Sequence, residues 1–239
     1  MNVKIQILWP TVRPSMMDAT CNRWYDAVSG KVPINLTVGV STEEMAAELK
    51  PQLPGASIIV TGTDRPGPVW AVHRLASTVR ELNDQDIIIV ATDDFDAPWH
   101  WDLFLAERMK NFCGALLIKD GVRKPGDRVM AMPIMTYGCF VKLNRIIVHP
   151  DYTWHYSDAE LYENLSALGM LHPAQGESHP VFQHNHWTIG KRPRDSVDKL
   201  ARRMHVRDRN TFQRRMKMSV QERLVYKEGA RGEKATDVA

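Results

Sequence analysis

Short apolar runs alternate with amphipathic stretches through roughly the first hundred residues. Four runs have the length and the β-branched content of strands: VKIQILWP, INLTVGVS, ASIIVTG and DIIIVAT. Three stretches between them have the helical spacing of apolar positions: DATCNRWYDAV, TEEMAAELK and WAVHRLASTVRELN. Uninterrupted apolar strands separated by helices are typical of a mainly parallel sheet that helices cover on both faces. The pattern therefore predicts an α/β fold.

The second half of the chain loses this alternation. WDLFLAERMKNF predicts a helix, and GALLIKDGV predicts a strand and a turn. SDAELYENLSALG predicts a helix with Ser157 as N-cap and Glu160 completing a capping box. Beyond Gly190 the pattern predicts two short helices: DSVDKLARRM and RNTFQRRMKMSVQERLV.

The change in pattern suggests how the chain is organised. A length of 239 residues suits one large domain, or one domain with an appendage. We expect a main domain at 1–190, with halves at 1–105 and 106–190. A helical segment at 191–227 and a disordered tail at 228–239 would follow it.

The segment 191–227 is strongly basic. It holds thirteen Lys/Arg against four Asp/Glu, a balance of +9 in a chain whose net charge is +3. Such a segment could meet nucleic acid, an anionic membrane or an acidic substrate. Five apolar residues recur within it at roughly helical spacing: Leu200, Met204, Phe212, Met216 and Leu224. This spacing favours a solvated helical face that packs on the rest of the protein.

Two further features concern the compartment. No apolar stretch approaches the ~20 residues that span a bilayer, and the N-terminus is typical of a strand rather than of a signal peptide. The three cysteines, Cys21, Cys113 and Cys139, are far apart and odd in number, which indicates neither a disulfide framework nor a CxxC metal site. We therefore expect a cytoplasmic protein without a membrane span.

Three carboxylates follow the fourth predicted strand within four residues: Asp93, Asp94 and Asp96. In parallel sheets, ligands bind beyond the carboxyl ends of the strands. Carboxylates at that place suit Mg²⁺ or Mn²⁺ bridging to a diphosphate. The alternative is a helix N-cap with an acidic first turn, which explains one or two of the three.

Two histidines in VFQHNHW, His184 and His186, stand two residues apart, so on a strand both would face one side. Imidazole is a good ligand for Mn²⁺ or Zn²⁺. Ordinary loop histidines are the alternative. The string HNH does not indicate a nuclease, because that motif is dispersed through a ββα unit.

In this order, the segments resemble the GT-A glycosyltransferases, particularly the family-2-like enzymes. WPTVRP is similar to the opening of that family, and IIIVATDDFDAPWHWD to its aspartate motif. HPDYTWHYSDAELYENLSALGML resembles its acceptor half, and VFQHNHW its closing histidine segment. The likeness covers roughly residues 3–216. It implies a Rossmann-like sheet of the GT-A type, a nucleotide-sugar donor (a UDP-sugar is expected), and Mn²⁺ or Mg²⁺ as cofactor.

The resemblance also implies roles for particular residues. Asp94 would be the main metal ligand, with Asp93 and Asp96 touching metal or ribose. Both a DxD motif (Asp94 with Asp96) and a paired motif (Asp93 with Asp94) remain open. His184 or His186 would be the late metal ligand, and His184 is slightly preferred. Three further residues would bind the donor: Thr11, Arg13 and Arg74.

In the acceptor half, the resemblance implies that Asp158 is the catalytic base. It would deprotonate an acceptor hydroxyl in an inverting displacement. Four aromatic residues would stack on the acceptor: Tyr137, Tyr152, Trp154 and Tyr156. One departure concerns the donor base: the second strand ends TVGVST, where many relatives carry an aspartate that reads uracil, so either Ser41 takes that role or the base is held differently.

Two other functions compete with this interpretation. A nucleotidyltransferase of similar fold would usually carry a glycine-rich basic loop after the first strand, and PTVRPSMMDAT has no glycine. A nucleic-acid-binding protein would act through 191–227, with strongly salt-dependent affinity. A glycosyltransferase that modifies a hydroxymethylated DNA base, as in some bacteriophages, would combine a donor pocket with a basic flank.

Overall fold

The computed structural model describes residues 3–63, 65, 67–122, 124, 126–172, 180–187 and 190–226. The tail expected at 228–239 lies outside the described residues. None of the described helices combines the length and the hydropathy that a membrane crossing requires.

A seven-stranded sheet forms the centre of the molecule. Its parallel part contains the four predicted strands: β1 (Ile5–Pro10), β2 (Ile34–Val40), β3 (Ser57–Val60) and β4 (Ile87–Val90). Three short strands extend it: β6 (Ala115–Leu116), β7 (Ile134–Thr136) and β8 (Leu171–His172). The order is β3-β2-β1-β4-β7-β6-β8, and β7 is antiparallel to β4. A second sheet pairs β5 (Phe95–Asp96) with β9 (Gln183–His184).

Eight helices are described: α1 (Pro14–Asp26), α2 (Glu43–Leu49), α3 (Pro68–Ala76), α4 (Trp101–Arg108), α5 (Tyr137–Lys142), α6 (Ser157–Ala167), α7 (Ser196–Arg215) and α8 (Val220–Arg223). They cover both faces of the sheet. Along β1, Ile5 and Ile7 belong to one apolar core and Leu8 to the other. The predicted α/β class, a mainly parallel sheet with helices on both sides, is confirmed.

The prediction of two short helices after Gly190 places the break between them wrongly. α7 runs unbroken for 20 residues, and α8 follows as one short turn. The stretch between the two predicted helices contains neither glycine nor proline, so nothing in the backbone ends the helix there.

The capping box predicted at α6 is also wrong. Tyr156, with φ of 67°, is the N-cap, and no side chain caps this helix. Glu160 instead accepts two hydrogen bonds from Arg215, Nε to Oε2 and Nη2 to Oε1, both at 2.8 Å. Arg215 and Glu160 are both almost fully buried. The Glu160 carboxylate therefore pairs with Arg215 and does not cap the helix.

The basic C-terminal segment packs on the main body through α7. Asp208, which is fully buried, accepts hydrogen bonds from the backbone N–H groups of Thr153, Trp154 and His155, at 2.7–3.1 Å. Together with the Arg215–Glu160 pair, these bonds hold α7 against the loop that precedes α6.

Candidate active site

Three tryptophans hold the loop that follows β4. Trp24 lies between Trp9 and Trp101, with ring centroids 5.4 and 5.1 Å away. The indole of Trp9 donates to Asp93 Oδ1 (2.9 Å), and that of Trp24 donates to the Phe95 carbonyl (2.8 Å). Because buried indoles fix both position and hydrogen bonding, the aspartate loop has a defined shape.

Asp93 serves this loop as an internal anchor. It is buried, and besides the Trp9 indole it accepts a hydrogen bond from Thr11 Oγ1 at 2.8 Å. Burial raises the pKa of Asp93 to about 7, although these two hydrogen bonds act to lower it. Both of its oxygens are engaged by the protein, so the side chain connects the ends of β1 and β4.

Asp94, His184 and His186 come together at the carboxyl end of β4. One potential ligand atom from each side chain lies within 4.8 Å of the others. Asp94 Oδ2 is 3.4 Å from His184 Nε2, and the two imidazole centroids are 5.0 Å apart. Pairing of β5 with β9 brings the histidines to the aspartate loop, since His184 lies opposite Phe95 and its ring stacks on that side chain.

The pKa shifts of Asp94 and His186 favour the protonation states that suit a cation. Burial raises the pKa of Asp94. The hydrogen bond and charge of His184, together with the hydrogen bond of Thr92, outweigh burial and lower that pKa to about 2. Burial and the neighbouring His184 lower the pKa of His186. An ionised carboxylate and a neutral imidazole are the forms that bind metal.

Asp120 lies behind His184, with Oδ2 3.8 Å from His184 Nδ1. Burial lowers the pKa of His184, but Asp120 and Asp94 outweigh it and raise that pKa above its ordinary value. Metal-binding histidines commonly direct their second nitrogen to a carboxylate, which orients the ring. The Asp120–His184–Asp94 arrangement has this form.

Two arginines connect the cluster to the start of α7. Arg13 donates from Nε to Asp195 Oδ2 (2.7 Å). Arg192 donates from Nη1 and Nη2 to Asp198, at 2.6 and 2.8 Å, and its Nη2 is 3.8 Å from Asp94 Oδ2. Because Asp195 and Asp198 form the capping box of α7, both arginines are tied to this helix start.

A cavity of about 750 Å³ opens beside these groups. Thr11, Arg13, Asp93 and Asp94 line it together with residues of α7. The basic segment therefore contributes to the lining of the cavity.

The cavity lining also includes hydroxyls and an aromatic platform. Ser41 and Thr61 lie at the ends of β2 and β3. Arg65 stacks over the Trp70 indole, with its guanidinium carbon 4.2 Å from the ring centroid, and donates to the Tyr226 hydroxyl.

Gly67 is required at the start of α3. Its φ is +99°, and a Cβ placed there would collide with the Thr153 carbonyl oxygen and crowd Trp154. We expect Gly67→Ala to cost about 2 kcal/mol or more of unfolding free energy, because left-handed strain and a backbone collision add. Urea unfolding measures this cost.

Gly126 provides the matched control. Its φ is +98°, and a Cβ placed there would have nothing within 4 Å, so Gly126→Ala adds strain without collision. Equal losses for the two variants would show that the contact with Thr153 is unimportant.

Two residues expected at the donor or metal lie elsewhere. Asp96 is held by Arg23 Nε (2.7 Å) and Asn185 Nδ2 (2.8 Å), outside the cluster, because β5 turns its side chain toward α1. This geometry disfavours the DxD interpretation. Arg74 is exposed on α3 and outside the cavity lining; Arg65 lines the cavity instead.

Of the four expected acceptor aromatics, Trp154 lines the cavity. Tyr152 is buried and donates to Glu160 Oε2 (2.7 Å), which makes it part of the core. Tyr137 accepts a hydrogen bond from Arg145 Nη2 (2.8 Å). The Tyr156 hydroxyl is 3.0 Å from Nε2 of His205, a residue of the cavity lining.

Asp158, the expected catalytic base, also lies outside this lining. Its Oδ1 accepts a hydrogen bond from the Ala159 N–H in the first turn of α6. The geometry of the cavity therefore gives the base assignment no support.

Sequence reasoning missed three residues around the cavity and cluster: Arg65, Asp120 and Arg192. Two faint signals were present. Asp120 lies in GALLIKDGV, the predicted strand and turn, and Arg192 belongs to the basic run KRPRD before α7.

No protein-family model matches the chain, and no curated protein matches it. Solved structures do. Glucosyl-3-phosphoglycerate synthase from Mycobacterium tuberculosis, in complex with Mg²⁺ and uridine diphosphate, superimposes with a TM-score of 0.54 at 13% identity, over 83% of this chain and 74% of that one.

Two further structures are similar. The mannosyltransferase PcManGT from Pyrobaculum calidifontis, in complex with GDP-Man and Mn²⁺, has a TM-score of 0.51 at 13% identity, over 73% of this chain. The present chain spans 55% of that enzyme. A 4-diphosphocytidyl-2C-methyl-D-erythritol synthase has a TM-score of 0.51 at 14% identity, over 80% of this chain and 98% of that one. At these identities the likeness concerns the fold, and the chain has the GT-A type fold.

Proposed function

We propose that the protein is a metal-dependent, inverting glycosyltransferase that uses a nucleotide-sugar donor. One observation carries the proposal: the cluster of Asp94, His184 and His186 borders a cavity of donor size at the carboxyl ends of parallel strands. The complexes of the two structural neighbours with UDP or GDP-Man are consistent with it.

The donor set of the cluster fits a divalent cation. A carboxylate oxygen with two imidazole nitrogens suits Mn²⁺ better than Mg²⁺, which prefers oxygen ligands alone. When bound, such a cation would offset the charge that develops on a diphosphate leaving group. Mn²⁺ is therefore the cofactor we propose.

Arg13 and Arg192 would hold the diphosphate. Both line the cavity, and Arg192 Nη2 lies 3.8 Å from Asp94 Oδ2. Phosphate oxygens are good partners for guanidinium groups, so donor binding would compete with Asp195 and Asp198 for them. The nucleoside would then extend toward Ser41 and Arg65, and we retain a UDP-sugar as the proposed donor.

The acceptor we propose is a hydroxymethylated base of DNA. The same proposal includes a cytosolic location and a catalytic base, a proton acceptor close to the acceptor hydroxyl. Asp158 is the base that the family resemblance implies, although it lies outside the cavity lining. The lining instead includes two imidazoles at the α7 side, His155 and His205.

A donor screen tests the function. We expect one nucleotide sugar to raise the melting temperature in the presence of Mn²⁺ and to be hydrolysed slowly to a nucleoside diphosphate. Hydroxymethylated oligonucleotides are then supplied as acceptors, with unmodified oligonucleotides as the control. Absence of Mn²⁺-dependent stabilisation by every donor would contradict the proposal.

A nucleotidyltransferase remains the second candidate, because the chain covers 98% of the synthase named above. It would consume a nucleoside triphosphate and release pyrophosphate, whereas glycosyl transfer releases a nucleoside diphosphate. Including CTP and UTP in the screen, with pyrophosphate detection, separates the two reactions.

A further inference from the structure

The charges of α7 are divided between its two sides. The acidic residues Asp198 and Asp208 are buried against the body, as is Arg215. Six other basic residues of the helix are exposed: Lys199, Arg202, Arg203, Arg207, Arg209 and Arg214. At 3.6 residues per turn these six fall within about 160° of the helix circumference. We call these six residues the basic stripe.

Among the described residues, few acidic groups neutralise the basic stripe. Arg214 forms an ion pair with Asp151 at 3.1 Å. The other five form no ion pair with a described residue. A row of like charges repels itself, so this arrangement costs free energy that an anionic partner would recover.

The N-terminal part of the basic stripe borders the cavity. Arg202 belongs both to the stripe and to the cavity lining, and His205, one turn further along, lines the cavity as well. From Lys199 to Arg214 the helix rises by about 22 Å. An extended polyanion on the stripe would therefore reach the cavity at one end.

We propose that the basic stripe binds the phosphodiester backbone of a nucleic acid and so presents a base to the cavity. The presentation of a base rests on the proposed function; binding of the backbone does not. A nucleic acid fits because its phosphates form a regular row of charge.

An anionic membrane fits the surface less well. Helices that lie in a bilayer interface combine basic residues with a broad apolar face. On the exposed side of α7 the large apolar residues are few: Leu200 is 36% exposed and Val206 is 58% exposed. Phe212 packs toward the core. The outward face is thus charged rather than amphipathic.

The test measures the affinity of the full chain for a fluorescein-labelled DNA duplex of about 20 base pairs between 50 and 200 mM salt. The five cations that form no ion pair with a described residue predict a slope of about −4.5 in log K against log salt, an affinity loss of about 500-fold over this range. For Arg203→Gln/Arg207→Gln, three cations remain, and the loss should fall to about 40-fold.

A second double variant, Lys50→Gln/Lys110→Gln, is the matched control. It removes the same charge from exposed positions outside α7, so its salt dependence should equal that of the wild type. Equal behaviour of both double variants would overturn the proposal. So would binding to vesicles of anionic phospholipid that depends on Arg203 and Arg207 when no DNA binds.

Failure of this proposal is distinguishable from failure of the function. Mn²⁺-dependent hydrolysis of a nucleotide sugar reports on the cavity alone, and Arg203 and Arg207 do not line it. We expect Arg203→Gln/Arg207→Gln to hydrolyse the donor at the wild-type rate while transfer to a duplex acceptor falls at least about tenfold at 150 mM salt.

Discussion

If the proposed function holds, we expect Asp94→Asn to lower kcat/KM for Mn²⁺-dependent turnover of the donor at least about 10³-fold. The reason is that a neutral amide replaces a carboxylate whose pKa of about 2 keeps it ionised. A cation that offsets leaving-group charge is worth several kcal/mol, and about 4 kcal/mol corresponds to this factor. Steady-state hydrolysis of the donor, with Mn²⁺ varied, measures the loss.

Asp96→Asn is the control for this change. It removes the same charge two residues away, but Asp96 bonds to Arg23 and Asn185 rather than to the histidines. We expect kcat/KM within about threefold of the wild type. Comparable losses in Asp96→Asn and Asp94→Asn would support the DxD interpretation instead, because in it both carboxylates hold the metal.

Glu160→Gln has the largest expected effect on stability, about 3–5 kcal/mol of unfolding free energy. Glu160 accepts two hydrogen bonds from Arg215 and one from the Tyr152 hydroxyl. Removing one partner of a buried ion pair is strongly destabilising, and Arg215, only 3% exposed, would keep as an ion pair only the longer 3.5 Å contact of its Nη1 with Asp151 Oδ2. For a chain of this length the melting temperature should fall by about 10 °C. Calorimetry and urea unfolding measure the two quantities.

The same helix offers a matched control. Glu163 pairs with Arg128 at 2.6 Å, but the Arg128 side chain is 63% exposed. Solvent screens such a pair, so Glu163→Gln should cost less than about 1 kcal/mol. If Glu160→Gln costs no more than Glu163→Gln, burial of the Arg215–Glu160 pair does not hold α7 in place.

Much of the fold was predictable because its signals are local. The first four strands are uninterrupted apolar runs, and both faces of the sheet are buried, so composition alone identifies them. Helix boundaries depend on weaker signals. α3 ends at Ala76, well before the predicted end. Glu160, predicted to cap α6, instead binds Arg215, 55 residues away.

The candidate site was predictable only in part. Asp94 and the two histidines lie in motifs whose order is visible in the sequence, and the second sheet brings them together. The roles of Asp96 and Arg192 depend on partners that only folding supplies: Asp96 meets Arg23, 73 residues away, and Arg192 approaches Asp94 across the start of α7. No periodicity encodes such contacts.

The most direct test of the central claim is an anomalous-difference map from a crystal grown with MnCl₂ and uridine diphosphate. We predict a manganese peak about 2 Å from ligand atoms of Asp94, His184 and His186, with the diphosphate beside Arg13 and Arg192. A manganese peak at Asp96, or a nucleotide outside the cavity that these arginines line, would contradict the account.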